Sequence, residues 1–105
     1  MLFMVVERFA PSRAAEIYRV ARERGRMLPD GLVYVDSWVS AALDVCFQLM
    51  ECEDPVLFQE WVVHWGDLAD IEIAPVAPSS DTSALMTRLA GELGTGRESA
   101  EDTGD

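Results

Sequence analysis

The middle of the chain holds a mixed set of aromatic, acidic, thiol and amide side chains that could carry chemistry. A few polar groups among aromatic and apolar walls are typical of pockets for small ligands. Asp36 is the candidate catalytic residue, because a carboxylate enclosed beside Trp38 could act as a general base. The predicted ligand-binding residues are Tyr34, Asp36, Trp38, Cys46, Gln48 and Met50. The alternative is a plain subunit interface made by the same aromatic residues, in which Asp36 hydrogen-bonds to Gln48 or to backbone.

Two other groups are weaker candidates. His64, close to the end of a predicted helix, could serve as a proton shuttle or a haem ligand; alternatively it is an ordinary surface histidine. The arginine cluster Arg19, Arg22, Arg24 and Arg26 could bind an anionic substrate. Alternatively, these basic residues complement the dipole at a helix end and pair with nearby acids such as Glu16 and Glu23.

The sequence predicts no metal site and no cofactor. Cys46 and Cys52 lie six residues apart in one predicted strand, about 20 Å when extended, which is too far for a disulfide. A single histidine and the absence of a CxxC pair disfavour zinc. The chain also has no glycine-rich phosphate loop and no nucleophile elbow, so covalent hydrolase chemistry is not expected.

Composition restricts the possible partners. The 105 residues, half of them apolar, are enough for one domain with a small core, which favours association with a second subunit. A net charge of -11 and the absence of lysine argue against nucleic acid. The apolar N-terminal run is too short for a signal or membrane segment, so we expect a cytoplasmic protein that does not bind membranes.

These candidate residues must be positioned by six predicted elements in the order strand, helix, strand, strand, helix, strand. Continuous or alternating apolar residues predict strands at 2–6, 32–40, 45–50 and 70–73. Apolar residues at helical spacing predict helices that end at Gly25 and Gly66, the second capped by Asp54. Residues 1–76 therefore form the domain, and 77–105 form a polar acidic tail with one short helix at about 80–93 and disorder from Gly94 onward.

This order predicts an α+β fold of the ferredoxin-like type, with a four-stranded antiparallel sheet. Strands one and three are central, and both helices cover one face. The hairpin register decides which residues lie on the open face. A link with an odd number of residues places all six predicted ligand-binding residues there. An even link would combine Asp36 with Phe47 and bury Gln48, and we therefore predict the odd link.

Three stretches, residues 23–29, 34–39 and 46–52, together resemble the bacterial family catalogued as domain of unknown function 3303. The resemblance covers about residues 1–76. That family is similar to the dimeric α/β barrels, in which two ferredoxin-like sheets pack by their open faces and enclose a cavity. The resemblance therefore implies a homodimer through the open sheet face, and it transfers no catalytic residue.

The resulting hypothesis is a homodimeric α/β barrel that binds a small, hydrophobic molecule between its sheets, with or without cofactor-free oxygenase or isomerase chemistry. The alternative is a non-catalytic interaction or structural module. In that case the open face is only a dimer seam and the acidic tail contacts other proteins.

Overall fold

The computed structural model of the chain describes residues 1–92. The chain divides into two units, Met1–Pro75 and the segment from Val76 onward. The strands are β1 (Leu2–Arg8), β2 (Val33–Val39), β3 (Val45–Glu51) and β4 (Asp70–Val76), and the helices are α1 (Ala14–Arg24), α2 (Val56–Trp65) and α3 (Ser79–Glu92).

The four strands form one antiparallel sheet in the order β2-β3-β1-β4. The two central strands are β1 and β3, so the predicted α+β fold of the ferredoxin-like type is confirmed. The continuous apolar run of β1 is the reason for its central place, since both faces of that strand are covered or close to other apolar side chains.

The core lies between the sheet and α2. Val5 and Met50 from the central strands are fully buried, as is Trp61 from α2. Phe3 and Phe58 meet edge to face with their ring centroids 4.9 Å apart. Each such side chain contributes roughly 1.5–3 kcal/mol by leaving water, so α2 is the helix that holds the sheet most firmly.

Local signals set the helix ends. The Asp54 carboxylate accepts the backbone N–H of Val56 at 3.0 Å, as predicted for the cap of α2. Gly25 and Gly66 follow the two helices with φ of 69° and 65°, a left-handed conformation that favours glycine. At the start of α1 a single 3₁₀ turn at Pro11–Arg13 precedes the helix, and no side chain caps it.

The hairpin between β2 and β3 has the even link, so the predicted odd link is wrong. Ser40 pairs with Val45 through a 2.8 Å backbone hydrogen bond, which leaves four residues, 41–44, in the connection. The Ser40 hydroxyl accepts the N–H of Val45 at 3.1 Å and donates to the Asp44 carboxylate at 2.8 Å. These bonds close the turn, in which Leu43 has a left-handed φ of 60°.

The second unit contributes one helix. Residues 80–93, predicted as a short helix, correspond to α3, which spans Ser79–Glu92. The predicted disorder from Gly94 onward lies outside the described residues. None of the helices within residues 1–92 combines the length and apolar character needed to cross a membrane.

Candidate functional site

A cavity of about 360 Å³ lies between α1 and the sheet face that α1 and α2 cover. Its apolar wall comes from the residue after β1, from α1 and β2, and from β4 with the segment that leads into it. That wall includes Phe9, Ile17, Ala21, Val39, Leu68 and Ile71. The polar groups come from β1, α1 and its end, β2 and β3, and they are Glu7, Arg22, Arg26, Ser37, Cys46 and Gln48.

The cavity exists because the two helices pack unequally. Phe58 and Trp61 fill the space beneath α2. In contrast, Ala14 is the only buried residue of α1, and the small Ala21 faces the sheet across the gap. A cavity of this volume, mainly apolar with a few convergent polar groups, is within the range of small-molecule pockets.

Glu7 is the acidic group of the cavity. Side chains alternate along a strand, so Glu7 shares the covered face of β1 with Phe3 and Val5. Burial raises the pKa of the Glu7 carboxyl from its ordinary value of 4.5, and hydrogen bonding from Gln48 and Cys46 and the charge of Arg26 oppose that rise. A carboxyl in such surroundings can hold and release a proton closer to neutral pH.

The Cys46 thiol lies beside Glu7 on the neighbouring strand, since Glu7 and Cys46 are cross-strand partners. Burial raises the pKa of this thiol to about 11, and both the charge of Glu7 and a hydrogen bond to it add to the shift. Cys46 is therefore a protonated thiol at neutral pH and not a nucleophile.

Gln48 supplies an unsatisfied acceptor. It is 7% exposed and pairs across the sheet with Val5. Its Oε1 is buried and has no hydrogen-bond partner within the described residues. A buried amide oxygen left without a donor costs about 1–3 kcal/mol, and a ligand that donates a hydrogen bond would remove that cost.

Arg26 is held in place from two sides. Its carbonyl accepts the indole N–H of Trp61 at 2.8 Å and that of Trp65 at 3.1 Å, which anchors the backbone to α2. Its guanidinium lies 3.7 Å from the centroid of the Tyr34 ring, a cation–π contact. The Tyr34 hydroxyl is in turn hydrogen-bonded to the Ser37 hydroxyl at 2.6 Å, so the arginine is positioned at the cavity by α2 and β2.

The structure divides the six predicted ligand-binding residues between the two faces, so the predicted common face is wrong. Cys46 and Gln48 line the cavity under the helices, and Met50 is fully buried in the core. Tyr34 pairs with Met50 and is on that covered face as well. Asp36 and Trp38 pair with Leu49 and Phe47 and are on the open face.

Two local features cause this division. The even link moves β3 by one residue relative to the prediction, which turns each of its side chains to the other face. A bulge between Tyr34 and Asp36 adds one residue to β2 and separates these two side chains. In the single chain Asp36 is exposed, and its carboxylate accepts the N–H of Ser37 at 2.8 Å. Its predicted enclosure between the sheets of a dimer stays a prediction.

The open face is the sheet face opposite the helices. Its centre is apolar and consists of Met4, Val6, Trp38, Phe47 and Leu49. Trp38 is 51% exposed and Phe47 38%. Arg8 and Glu72 form a 2.9 Å ion pair beside this centre. The open face is therefore more apolar than the sequence predicted, because Cys46, Gln48 and Met50 point away from it.

The other candidates lie elsewhere. His64 is on the exposed side of α2, where its Nε2 is 3.6 Å from the Glu60 carboxylate. Of the arginine cluster, Arg19 pairs with Glu23 at 3.1 Å, and only Arg22 and Arg26 line the cavity. Within residues 1–92, no three His, Cys, Asp or Glu side chains are arranged to hold a metal ion.

Sequence reasoning missed Glu7. The signal was its spacing, because residues 3, 5 and 7 must share one face of a strand and the first two are large and apolar. Residues 2–6 form one continuous apolar run in the sequence, and the alternation that continues to Glu7 was therefore overlooked. The arginines were identified, but their relation to a cavity required the fold.

The comparisons with known proteins add one match. The family model described as "Domain of unknown function (DUF3303)" matches residues 1–90. This is farther along the chain than the resemblance at 1–76, and it extends into α3. None of the curated proteins and none of the solved structures compared with the chain matches it.

Proposed function

The chain belongs to the DUF3303 family, and we propose that it binds a small molecule in the cavity beneath α1, where Glu7 exchanges a proton with the ligand. The observation that carries this proposal is a partly buried carboxyl on the wall of a mainly apolar cavity of about 360 Å³. Burying an acid costs stability unless it is compensated, and functional sites are where such costs are commonly retained.

Of oxygenase and isomerase chemistry, the groups in the cavity support the isomerase type. The Glu7 carboxylate takes a proton from a carbon next to a ligand carbonyl, and the C–H electron pair enters the enolate. The Glu7 carboxyl then returns the proton to carbon, so atoms and charge balance within one ligand and one side chain. A positioned base of this kind contributes about 10²–10⁴-fold to rate.

Binding is tested with 2-naphthamide, a neutral molecule that fits the cavity volume, in a ¹⁵N–¹H NMR titration of the protein. We expect chemical-shift changes at Ile17, Leu68 and Ile71, and their loss in Ala21→Phe, which fills the cavity. Ala15→Phe is the matched control, because Ala15 is on the exposed side of the same helix. Shifts confined to Trp38 and Phe47 on the open face would contradict the proposal.

Proton exchange is tested with 2-tetralone, an apolar ketone whose α-hydrogens exchange slowly with D₂O. We expect the protein to accelerate this exchange at least tenfold and Glu7→Gln to abolish the acceleration. Glu72→Gln, which changes an exposed carboxylate on the open face, should keep it. Equal acceleration by the wild type and Glu7→Gln would assign the exchange to another group.

A second proposal concerns the open face, which we infer to be covered by a second copy of the chain. Its apolar centre is what a small domain with a limited core must bury. The charged residues beside that centre carry both signs, Arg8 against Asp36 and Glu72, as an isologous contact between identical surfaces requires. The two proposals are compatible, because the cavity and the open face are on opposite sides of the sheet.

The homodimer is tested by sedimentation velocity. We expect the wild type to sediment as a dimer and Trp38→Arg as a monomer, since a buried charge at the centre of an apolar interface has no partner. Val63→Arg is the control, because Val63 is 77% exposed on α2. This substitution introduces the same charge away from the open face. A wild type that sediments as a monomer at all concentrations would overturn the inference.

A further inference from the structure

We propose that the ligand of the cavity is an apolar anion, with a carboxylate or similar group held by Arg22 and Arg26 and an aromatic or branched hydrocarbon body against the apolar wall. This inference rests on the proposed function, because it names the ligand class of that same cavity. It goes beyond that function by assigning the binding energy to two arginines.

The first argument is the pairing of the arginines. Within the described residues, four arginines are in ion pairs with glutamates, namely Arg8, Arg13, Arg19 and Arg88. Arg22, Arg24 and Arg26 have no carboxylate within 4.0 Å in that part of the chain. Two of these three line the cavity. Cations without a carboxylate partner beside a ligand cavity are available to an anionic ligand.

The second argument is the charge of the molecule. With a net charge of -11, the chain repels anions over most of its surface. Residues 27–87 contain no arginine or lysine at all. An anion therefore finds favourable potential at the end of α1, where basic residues are concentrated.

The third argument is preorganisation. The Arg26 backbone is fixed by two indole hydrogen bonds, and its guanidinium carbon lies 3.7 Å from the centroid of the Tyr34 ring. This cation–π contact holds the guanidinium without using its N–H groups as hydrogen-bond donors. These groups match the two oxygens of a carboxylate, and little side-chain entropy remains to be lost when they bind it.

The rest of the cavity restricts the body of the ligand. Phe9, Ile17, Leu68 and Ile71 offer no hydrogen bonds, so a sugar or a nucleotide would lose its hydration without compensation. The polar groups on the sheet side are Glu7, Cys46 and Gln48. They suit one carbonyl on the ligand, placed so that Glu7 can exchange a proton with the carbon next to it.

The test compares 2-naphthoate with 2-naphthamide, which have the same shape and differ in charge. In ¹⁵N–¹H NMR titrations of the full chain we expect 2-naphthoate to bind at least tenfold more tightly. Arg22→Gln and Arg26→Gln should each weaken 2-naphthoate at least fivefold and leave 2-naphthamide within twofold. Arg24→Gln is the matched control: it removes the same charge from the same helix but does not line the cavity, and it should have no effect.

The outcomes separate the two proposals. Binding of 2-naphthamide as tight as that of 2-naphthoate, or equal losses in Arg22→Gln and Arg24→Gln, overturns the anion assignment and leaves the proposed function standing. Failure of both probes to shift cavity resonances overturns both. If Arg26→Gln does not fold because the Tyr34 contact is lost, Arg22→Gln decides, since no described residue pairs with its side chain.

Discussion

At the scale of single residues, Glu7 places the largest constraint on the chain. Glu7 lies on the same covered face of β1 as the buried residues Phe3 and Val5, where an apolar side chain would be expected. Burial raises the pKa of its carboxyl. The folded chain therefore holds the Glu7 proton more tightly than the unfolded chain does. It follows that the free energy of unfolding contributed by this residue falls as the pH rises from 4.5 through the raised pKa.

The corresponding prediction concerns Glu7→Gln. The amide has the same shape and no charge, and its NH₂ can donate to the unsatisfied Gln48 Oε1, so we expect a higher melting temperature than wild type at pH 7. The gain should disappear below pH 4.5, where the wild-type carboxyl is protonated in both states. Thermal unfolding monitored by circular dichroism at pH 4 and pH 7 measures this.

Glu72→Gln is the control for that experiment, because Glu72 is exposed and paired with Arg8. Loss of the Arg8–Glu72 ion pair should lower the free energy of unfolding by no more than about 1 kcal/mol at pH 7. A Glu7→Gln variant that is less stable than wild type at pH 7 would mean that the carboxylate is better solvated than its burial indicates.

Cys46 gives a second prediction at this scale. With a pKa of about 11, roughly one thiol in a thousand is ionised at pH 8, and iodoacetamide should alkylate it slowly. Since the charge of Glu7 contributes to that pKa, Glu7→Gln should accelerate alkylation of Cys46 severalfold. Mass spectrometry after proteolytic cleavage at glutamate, which cuts at Glu51, reports the rate at Cys46 separately from that at Cys52. A rate unaffected by Glu7→Gln would show that burial alone protects the thiol.

At the scale of elements, the sequence predicted the strands, the two helices of the first unit and the sheet order, because hydrophobic spacing and the helix-ending Gly25 and Gly66 are local signals. It did not predict which face each side chain of the hairpin takes. The prediction assumed that Gln48 would avoid burial, whereas in the structure Gln48 is buried beside another polar group, Glu7. That neighbour comes from a different strand and is not apparent from the hairpin alone.

The bulge in β2 also changed which face the predicted site residues take. Alternation in β2 predicted one face for Tyr34, Asp36 and Trp38, but a single extra residue reverses the face for the last two. A bulge depends on twist and on contacts with neighbouring strands, so periodicity does not show it. Four of the six polar groups of the cavity, Arg22, Arg26, Cys46 and Gln48, were named from sequence, and their common location could be known only from the fold.

The turn of the hairpin carries the prediction at this scale. Leu43 has a φ of 60° and is 48% exposed, so its side chain strains the backbone and contributes limited burial. A left-handed conformation costs a non-glycine residue roughly 1–2 kcal/mol, and glycine also increases the entropy of the unfolded chain. We therefore expect Leu43→Gly to stabilise the protein by about 0.5–1 kcal/mol in urea unfolding.

Ala42→Gly is the matched control in the same turn. Ala42 does not have a positive φ. Glycine at this position therefore only increases the conformational entropy of the unfolded chain, and it should destabilise the protein by about 0.5 kcal/mol. Equal effects of the two glycines would show that Leu43 is not strained.

At the scale of the whole molecule, the net charge of -11 opposes the proposed homodimer. Two copies repel each other, and the apolar open face must overcome that repulsion. Salt screens charge over about 10 Å at 0.1 M and about 3 Å at 1 M. We therefore expect the dimer dissociation constant to fall at least threefold between 20 mM and 500 mM NaCl, measured by sedimentation equilibrium.

The same increase in salt should weaken 2-naphthoate binding at Arg22 and Arg26, because that contact joins opposite charges. The two proposals thus predict opposite responses to one variable. Dimerisation that weakens with salt would indicate an interface dominated by ion pairs such as Arg8 with Asp36, and not by the apolar centre.

The three tryptophans occupy three different environments, so each can report spectroscopically on a different part of the molecule. Trp61 is fully buried in the core, Trp65 lines the cavity, and Trp38 is exposed on the open face. Incorporation of 5-fluorotryptophan would give one ¹⁹F resonance for each. Unfolding, ligand occupancy and self-association could then be followed in a single spectrum, each by its own signal and without an attached dye.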